Sequence, residues 1–361
     1  MSGITVRIPA LRDVEYHEYL CTGFAILNAL DEIDAFQAAY RGDIFHQDLD
    51  GLDWTCHLWE VDLGGRTVTF ATHVSDHPNI YCQRALEACD LYFKCQCPEN
   101  PAEGVFRLNS RVSLPLPPYV VAHAAKLRPL LIARPLSRTY DFNKNIEILD
   151  NLEEMRRQVN RPQNLLAFLG VSIDTMYPAS PDIDDVHFKR VRLMLHLWNN
   201  RHRLPGVKFM FRVPAHCEHL THLLPPGWEA LPRVGPVTDR MYMHQCARSK
   251  ATINTMGIAG SNPFRLVDAF LTGMVCMTDR MVARWPVMPR HMSEILELGV
   301  LGYEPLADEE WRAAMERLEA YILNIDALRA KILPAQNAFF EKWLTPQALA
   351  RYVLEECRKV A

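Results

Sequence analysis

The sequence predicts an α/β protein of two domains followed by C-terminal helices, and three observations support this. The chain has 361 residues, whereas a single domain commonly has roughly 100–200. Apolar residues make up 49% of it, enough to fill two cores. Apolar runs alternate with amphipathic segments, and strand–helix–strand alternation is typical of a parallel sheet with right-handed crossovers.

In the N-terminal half, short apolar runs are separated by turn residues and helical segments. Gly64 and Gly65 lie between two such runs, and paired glycines there are typical of a tight β-hairpin turn. The predicted elements are a helix over 14–40, paired strands over 53–62 and 64–74, a helix over 79–88 and a strand over 89–96.

The C-terminal half alternates more regularly, so its strands are predicted to form a parallel sheet. Its elements are strands over 164–172, 207–213, 251–256 and 274–279, helices over 188–202, 238–249 and 263–273, and mainly helix from 307. These elements place an N-terminal domain over 1–158 and a C-terminal domain over 159–335. Helices follow over 336–361, and their return to the N-terminal domain is left open.

Composition argues against several classes of protein. A net charge of -4 provides no global field for nucleic acid. No apolar run reaches the ~18 residues of a transmembrane helix, and the first residues do not resemble a signal peptide. The ten cysteines are therefore expected to be reduced thiols of a cytoplasmic protein. Basic residues between 128 and 144 leave peripheral contact with an anionic membrane open, although a solvated face is the simpler interpretation.

Residues 249–279 contain the pattern most indicative of chemistry. A strand leads into a loop containing Gly257, and then into a helix that Pro263 opens and Gly273 ends. Ser261 or Asn262 is the expected N-cap. Free N–H groups and the positive end of the helix dipole would then converge on one point, so an anion site is predicted there.

Two charged side chains follow in the first turns of this helix. Arg265 suits a diphosphate, because a guanidinium binds two oxygens at once. Asp268 lies three residues on and could accept sugar or ribose hydroxyls. The alternative is an exposed Arg–Asp pair at helical spacing, which contributes little to stability.

This run resembles the donor-binding segment of GT-B glycosyltransferases, especially exostosin-like and related sugar transferases. The similarity lies in Asn254-Thr255-Met256-Gly257, Phe264-Arg265, Asp268-Ala269 and Gly273-Met274-Val275. The family usually has Glu where Asp268 stands. In the N-terminal half, residues 90–96 are similar to a strand-Phe-Lys segment of such enzymes.

The resemblance implies two Rossmann-like domains facing each other across a cleft. It also implies transfer of a sugar from a nucleotide-sugar donor to a hydroxyl of a carbohydrate or glycolipid acceptor, with no metal or other cofactor. Arg248 and Lys250 are further candidate cations for the leaving diphosphate. The implied donor-binding residues are Arg212, Asn254, Thr255, Gly257, Ser261, Phe264, Arg265 and Asp268.

An inverting transferase also needs a general base near the acceptor hydroxyl. The loop after the strand over 64–74 offers His73, Asp76 and His77, so Asp76 and His73 are candidate catalytic residues together with Arg265. A turn that only caps the following helix is the alternative. A retaining transferase would need no such base.

Other interpretations remain open. His216, Cys217, His219 and His222 have zinc-like spacing, but no second cluster follows. A non-catalytic nucleotide- or carbohydrate-binding protein of the same fold is the main alternative function. A nucleotide-sugar epimerase of similar shape or a Rossmann oxidoreductase is the third, and the absence of G-x-G-x-x-G after the first strand argues against the oxidoreductase.

Overall fold

The computed structural model describes residues 3–8, 16–38, 56–108, 113–137, 140–171, 181–213, 224–257, 262–299 and 308–361, with only the backbone of 181–188. Its strands are β1 (Ile4–Ile8), β2 (Ala35–Ala38), β3 (Cys56–Leu63), β4 (Thr67–His73), β5 (Leu91–Lys94), β6 (Val105–Arg107), β7 (Ser113–Pro115), β8 (Leu127–Pro129), β9 (Gln163–Gly170), β10 (Val207–Arg212), β11 (Ser249–Asn254), β12 (Val275–Thr278) and β13 (Leu296–Glu297). Its helices are α1 (Glu18–Ala29), α2 (Gln83–Ala88), α3 (Pro118–Ala122), α4 (Phe142–Arg157), α5 (Pro181–Asn199), α6 (Asp239–Arg248), α7 (Arg265–Thr272), α8 (Asp308–Leu323), α9 (Ile325–Phe339) and α10 (Pro346–Val360).

The N-terminal sheet is mixed, with strand order β2-β1-β3-β4-β5-β8. The predicted hairpin is confirmed: β3 and β4 pair antiparallel, and Gly64 and Gly65 turn the chain with φ of 77° and 130°. The predicted helix over 14–40 is too long. It ends at Ala29, and Asp31 takes a left-handed conformation with φ of 57°. Residues 35–38 then form backbone hydrogen bonds with β1, as strand β2, and do not continue the helix.

The C-terminal sheet has the order β10-β9-β11-β12-β13, and all its neighbouring strands are parallel, as predicted. The carboxyl ends of β9, β10, β11 and β12 therefore meet at one edge of the sheet, where ligands commonly bind in such folds. The predicted α/β class, with two sheets and C-terminal helices, is confirmed.

The end of the chain returns to the N-terminal sheet. After a π-helical segment, Phe340–Leu344, helix α10 packs against α1. A Cβ atom at Gly23 would lie 2.1 Å from the carbonyl oxygen of Pro346, so only glycine permits this approach. Tyr19 of α1 donates a hydrogen bond of 2.6 Å to the carbonyl of Leu344. Within the described residues, no helix is both long and apolar enough for a membrane span.

One buried arginine links several segments at the amino edge of the C-terminal sheet, where its strands begin. The Arg161 guanidinium donates to backbone carbonyls at the ends of three helices and at the start of β11. These acceptors offset part of the cost of burying the guanidinium, although burial still lowers the pKa of Arg161 to about 10. The accepting carbonyls belong to Met155, Gln158, Cys246, Ser249 and Thr272.

Candidate functional site

The first turn of α7 lies against the N-terminal half of the chain. Gln96, just after β5, donates to the carbonyl of Asn262 at 3.3 Å and accepts from the Asn262 N–H at 2.9 Å. Next to this pair, the rings of Tyr16 and Phe264 lie 6.0 Å apart. The predicted anion-binding helix therefore begins where the two sheet-containing parts of the molecule meet.

Among the residues that the structure describes, no side chain caps this helix. The N-cap residue is Phe264, and the Asn262 side chain instead donates to the carbonyl of Ala283 at 2.9 Å. The prediction that Asn262 caps the helix is therefore wrong, and Ser261 lies outside the described residues. Within the described part of the chain, the N–H groups of Phe264 and Arg265 donate to no acceptor. These open donors and the helix dipole make the turn an acceptor of anions.

Arg265 is half-buried, and the contacts of its guanidinium are aromatic. The guanidinium carbon lies 5.5 Å from the ring centroid of Phe168 and 5.7 Å from that of Phe264. Among the described residues no carboxylate lies within 4 Å of it. Its donors are therefore available for an external anion, while the rings fix its position.

Asp76 lies in the N-terminal half, close enough to Arg265 for the charge of that guanidinium to act on its carboxyl. Its side chain is exposed, yet the surrounding protein removes enough water to raise the pKa of its carboxyl. The carboxyl is therefore reached by water and flanked by protein. Positive charges oppose the rise in pKa, and they come from both sides of the junction: His77, Lys94, Arg190 and Arg265. We call the space flanked by Asp76 and Arg265 the interdomain crevice.

Arg190, which lies on α5, was not predicted as a site residue. Its guanidinium donates to the Thr255 hydroxyl at 3.1 Å, to the carbonyl of Gly170 at 3.1 Å and to that of Met256 at 3.3 Å. It thus joins the carboxyl ends of β9 and β11 and adds positive charge beside the crevice. Sequence periodicity predicts the apolar face of this helix but not which polar residue meets the strand ends.

The predicted donor-binding residues at the end of β11 and just after it are buried. Buried Asn254 donates to the carbonyl of Arg265 at 3.4 Å, which links the end of the strand to the helix. Thr255 and Gly257 are buried as well. The Asp279 carboxylate accepts the Met256 N–H at 2.8 Å, and burial raises the pKa of Asp279 to about 6.

Asp268 does not lie in the interdomain crevice. It is wholly buried, and its nearest charged partner is Arg134, at 3.9 Å. Burial raises the pKa of its carboxyl, and the charge of Arg134 opposes that rise. Arg134 also pairs with Asp239 at 3.2 Å. The predicted contact of Asp268 with a sugar hydroxyl finds no support, because a side chain from the other half of the protein occupies its surroundings.

The two candidate bases, His73 and Asp76, differ in their access to solvent: Asp76 is exposed, whereas His73 is buried. His73 is wholly buried on β4, and its Nδ1 atom lies 2.7 Å from the hydroxyl of Tyr92, with which it shares a hydrogen bond. Ala71 and Tyr92, on the same face of the sheet, belong to a buried apolar cluster that also includes Ala283 of the C-terminal half. A direct contact between His73 and an acceptor finds no support in this arrangement.

The other predicted cations occupy separate places. Arg212 is exposed at the carboxyl end of β10, the edge strand. Arg248 and Lys250 lie at the amino end of β11, the wrong edge for the predicted site, and Lys250 pairs with Asp326 at 2.8 Å. The interpretation of these two as ligands of the leaving diphosphate is therefore wrong.

The zinc-like cluster over 216–222 falls outside the described residues. In the part of the chain that is described, no group of three or more His, Cys, Asp or Glu side chains is arranged to hold a metal ion.

Comparisons with known proteins give only distant similarities. No family model matches the chain, and no curated protein matches it in sequence. The C-terminal domain of a group 1 family glycosyl transferase, LpcC, from Francisella tularensis is 13% identical; the match covers 53% of this chain and 96% of that one, with a TM-score of 0.35.

Two longer proteins match over more of the chain. HepE from Anabaena, in complex with UDP-glucose, is 10% identical over 80% of this chain and 72% of that one, with a TM-score of 0.42. A UDP-forming α,α-trehalose-phosphate synthase from Burkholderia xenovorans is 10% identical over 77% of this chain and 63% of that one, with a TM-score of 0.40. Scores and identities this low carry no argument about what this chain binds, because one fold hosts many functions.

Proposed function

We propose that the protein is a glycosyltransferase that moves a sugar from a nucleotide-sugar donor to a hydroxyl of a carbohydrate or glycolipid acceptor. One observation carries the proposal: among the described residues, an uncapped helix start coincides with a guanidinium that has no carboxylate partner, at the junction of the two sheets. Both are suited to the negative charge that develops on a leaving diphosphate.

On the donor side, the N–H groups of Phe264 and Arg265 would contact one phosphate, and the Arg265 guanidinium would bridge to the other. Arg190 would hold the Thr255–Met256 backbone in place and add positive charge. These groups supply the electrostatic stabilisation that a metal ion otherwise provides, so we propose a metal-independent reaction.

On the acceptor side, Asp76 is the proposed base of an inverting reaction. The acceptor hydroxyl would give its proton to the carboxylate while its oxygen forms a bond to the anomeric carbon. The bond from that carbon to the phosphate oxygen breaks, and the nucleoside diphosphate leaves. His73, buried on β4 and bonded to Tyr92, would contribute through the order of the strand end. In a retaining reaction Asp76 would only orient the acceptor.

A non-catalytic nucleotide- or carbohydrate-binding protein is the second candidate. The burial of Asp268 favours it, because one predicted donor contact is missing from the crevice. Binding without turnover would distinguish this candidate from the enzyme.

A thermal-shift screen against UDP-, GDP-, CMP- and ADP-sugars tests the proposal, followed by donor hydrolysis and transfer assays with a chelator present. A ligand at a hundred times its dissociation constant stabilises the folded state by about 2.7 kcal/mol. Arg265→Ala should reduce the shift to about half or less, and Arg248→Ala, at the opposite edge of the sheet, is the matched control. Binding without hydrolysis or transfer would support the second candidate. Absence of any shift with the wild type would refute both.

A further inference from the structure

Lys94, at the end of β5, is a fully buried lysine. Its ammonium group donates to the carbonyl oxygen of Ser75 at 3.1 Å. The Nζ atom also lies 5.6 Å from the ring centroid of Tyr81. Burying a charged lysine costs free energy, so its position indicates a use beyond stability.

The Ser75 carbonyl belongs to the residue just before Asp76. The thiol of Cys95 donates to the same oxygen at 3.3 Å, and the Ser75 hydroxyl accepts the N–H of His77 at 3.3 Å. The short loop that presents Asp76 is thus held at one carbonyl oxygen by two side chains from the end of β5. Any movement of that oxygen would turn the carboxylate relative to the crevice.

We propose that Lys94 is the positioning residue for Asp76: its ammonium group fixes the Ser75 carbonyl and directs the neighbouring carboxylate into the interdomain crevice. This inference rests on the proposed function, in which Asp76 takes the proton of the acceptor hydroxyl.

The charge of Lys94 has a second effect on that carboxylate. Burial raises the pKa of Asp76, and the positive groups that oppose this are His77 on the same loop, Lys94 on β5, Arg190 on α5 and Arg265 on α7. Removing the Lys94 charge should raise that pKa further. The acid limb of the kcat/KM profile should then move to higher pH, because the base is active only when deprotonated.

The test compares Lys94→Met with Lys94→Arg in pH profiles of kcat/KM. We expect the methionine variant to shift the acid limb upward by about one pH unit, with kcat lowered and donor KM little changed. The arginine variant should return the limb towards its wild-type position. An unshifted limb in Lys94→Met, or equal shifts in both variants, would overturn the proposal.

Lys126→Met is the matched control. Lys126 donates to the carbonyls of Leu86, at 3.0 Å, and Cys89, at 2.7 Å, which is a structural use of a lysine. It should lower the melting temperature and leave the pH profile unchanged. Lys94→Met removes a buried charge but also leaves the Ser75 carbonyl without one donor, so we expect its melting temperature to fall by no more than that of Lys126→Met. A loss of stability without a shifted profile would show that Lys94 is only structural.

A stability measurement separates failure of this inference from failure of the proposed function. Melting temperatures of the wild type, Lys94→Met, Asp76→Asn and the double variant form a cycle that needs no substrate. Coupling between the two residues should be present at pH 7 and disappear as pH falls and Asp76 becomes protonated. If no nucleotide-sugar is turned over, this cycle still decides whether Lys94 acts on Asp76. Absence of coupling at pH 7 counts against the proposal.

Discussion

The two edges of the C-terminal sheet use positive charge in opposite ways. At the amino edge, Arg161 donates to carbonyls at the ends of three helices, and Lys250 bonds to Asn164 and Asp326. At the carboxyl edge, Arg265 has aromatic rings beside it and no carboxylate within reach among the described residues. Arg161 and Lys250 are satisfied by the protein itself, as is Arg190 at the carboxyl edge, whereas the guanidinium of Arg265 is available to a ligand.

Energetics explain the difference. A buried guanidinium is tolerated only when its donors are paired, which makes Arg161 part of the framework. Arg265 is half-buried and keeps contact with water, so it needs no internal partner. An anion that replaces this water would be stabilised by the open N–H groups at the start of α7. The hydrogen bond from Asn254 to the Arg265 carbonyl keeps this helix start in position. Residue type alone therefore does not separate structural from functional arginines.

The largest effect is expected at the amino edge. Arg161→Met should lower the free energy of unfolding by about 3–5 kcal/mol, because several buried carbonyls lose their donor together. Urea unfolding measures this. Arg157→Met removes an exposed partner of Glu153 and should cost less than about 1 kcal/mol. Similar losses in the two variants would contradict the structural role of Arg161.

The carboxyl edge should show the reverse pattern. Arg265→Ala should reduce kcat/KM for sugar transfer by about 100- to 1000-fold, the loss typical of one transition-state donor. Its free energy of unfolding should change by about 1 kcal/mol or less, since only cation–π contacts are lost. Steady-state kinetics and urea unfolding of the same preparation measure both. A large loss of stability would make Arg265 structural, like Arg161.

A buried acid at the carboxyl edge provides a pH test. Burial raises the pKa of Asp279 from 3.8 to about 6, so the folded state holds its proton more tightly than the unfolded state. The stabilisation is complete below the unfolded value and is lost as pH rises towards 6. At about 1.4 kcal/mol per pKa unit, the loss is at most about 3 kcal/mol.

Asp279→Asn keeps an acceptor for the Met256 N–H and removes the titration. The difference in unfolding free energy between this variant and the wild type should therefore change between pH 4 and pH 7, in favour of the variant at pH 7. Urea unfolding at several pH values measures it. A difference independent of pH would show that Asp279 has an ordinary pKa.

The smallest effect is expected from Lys250→Met. Its partner Asp326 is exposed, so the ion pair should contribute about 1 kcal/mol or less. Sugar transfer should be unchanged, because Lys250 lies at the edge opposite the crevice. Kinetics equal to those of Arg265→Ala would remove the distinction between the two edges.

Local signals made much of this architecture predictable. Paired glycines indicated the hairpin, continuous apolar runs indicated the parallel sheet, and glycine and proline around residues 257–273 placed the helix start. Each of these signals lies within a few residues of the element it specifies, so the element can be predicted from a single sequence.

Contacts between distant residues were not predictable. Asp268 is wholly buried and lies 3.9 Å from Arg134, which belongs to the other half of the chain, and the spacing of Arg265 and Asp268 does not indicate this contact. Nor could the orientation of the His73 side chain be predicted. Because β4 is buried on both faces near its end, the alternation of polar and apolar residues does not show which face His73 lies on.

Calorimetric titration with a nucleoside diphosphate tests the central claim most directly. The nucleotide that gives the largest thermal shift among UDP, GDP, CDP and ADP would be titrated into the wild type, Arg265→Ala and Lys250→Met. We expect Arg265→Ala to bind about tenfold to hundredfold more weakly, a loss of about 1.4–2.8 kcal/mol, and Lys250→Met to bind as the wild type does. Equal affinities for the wild type and Arg265→Ala would contradict the account.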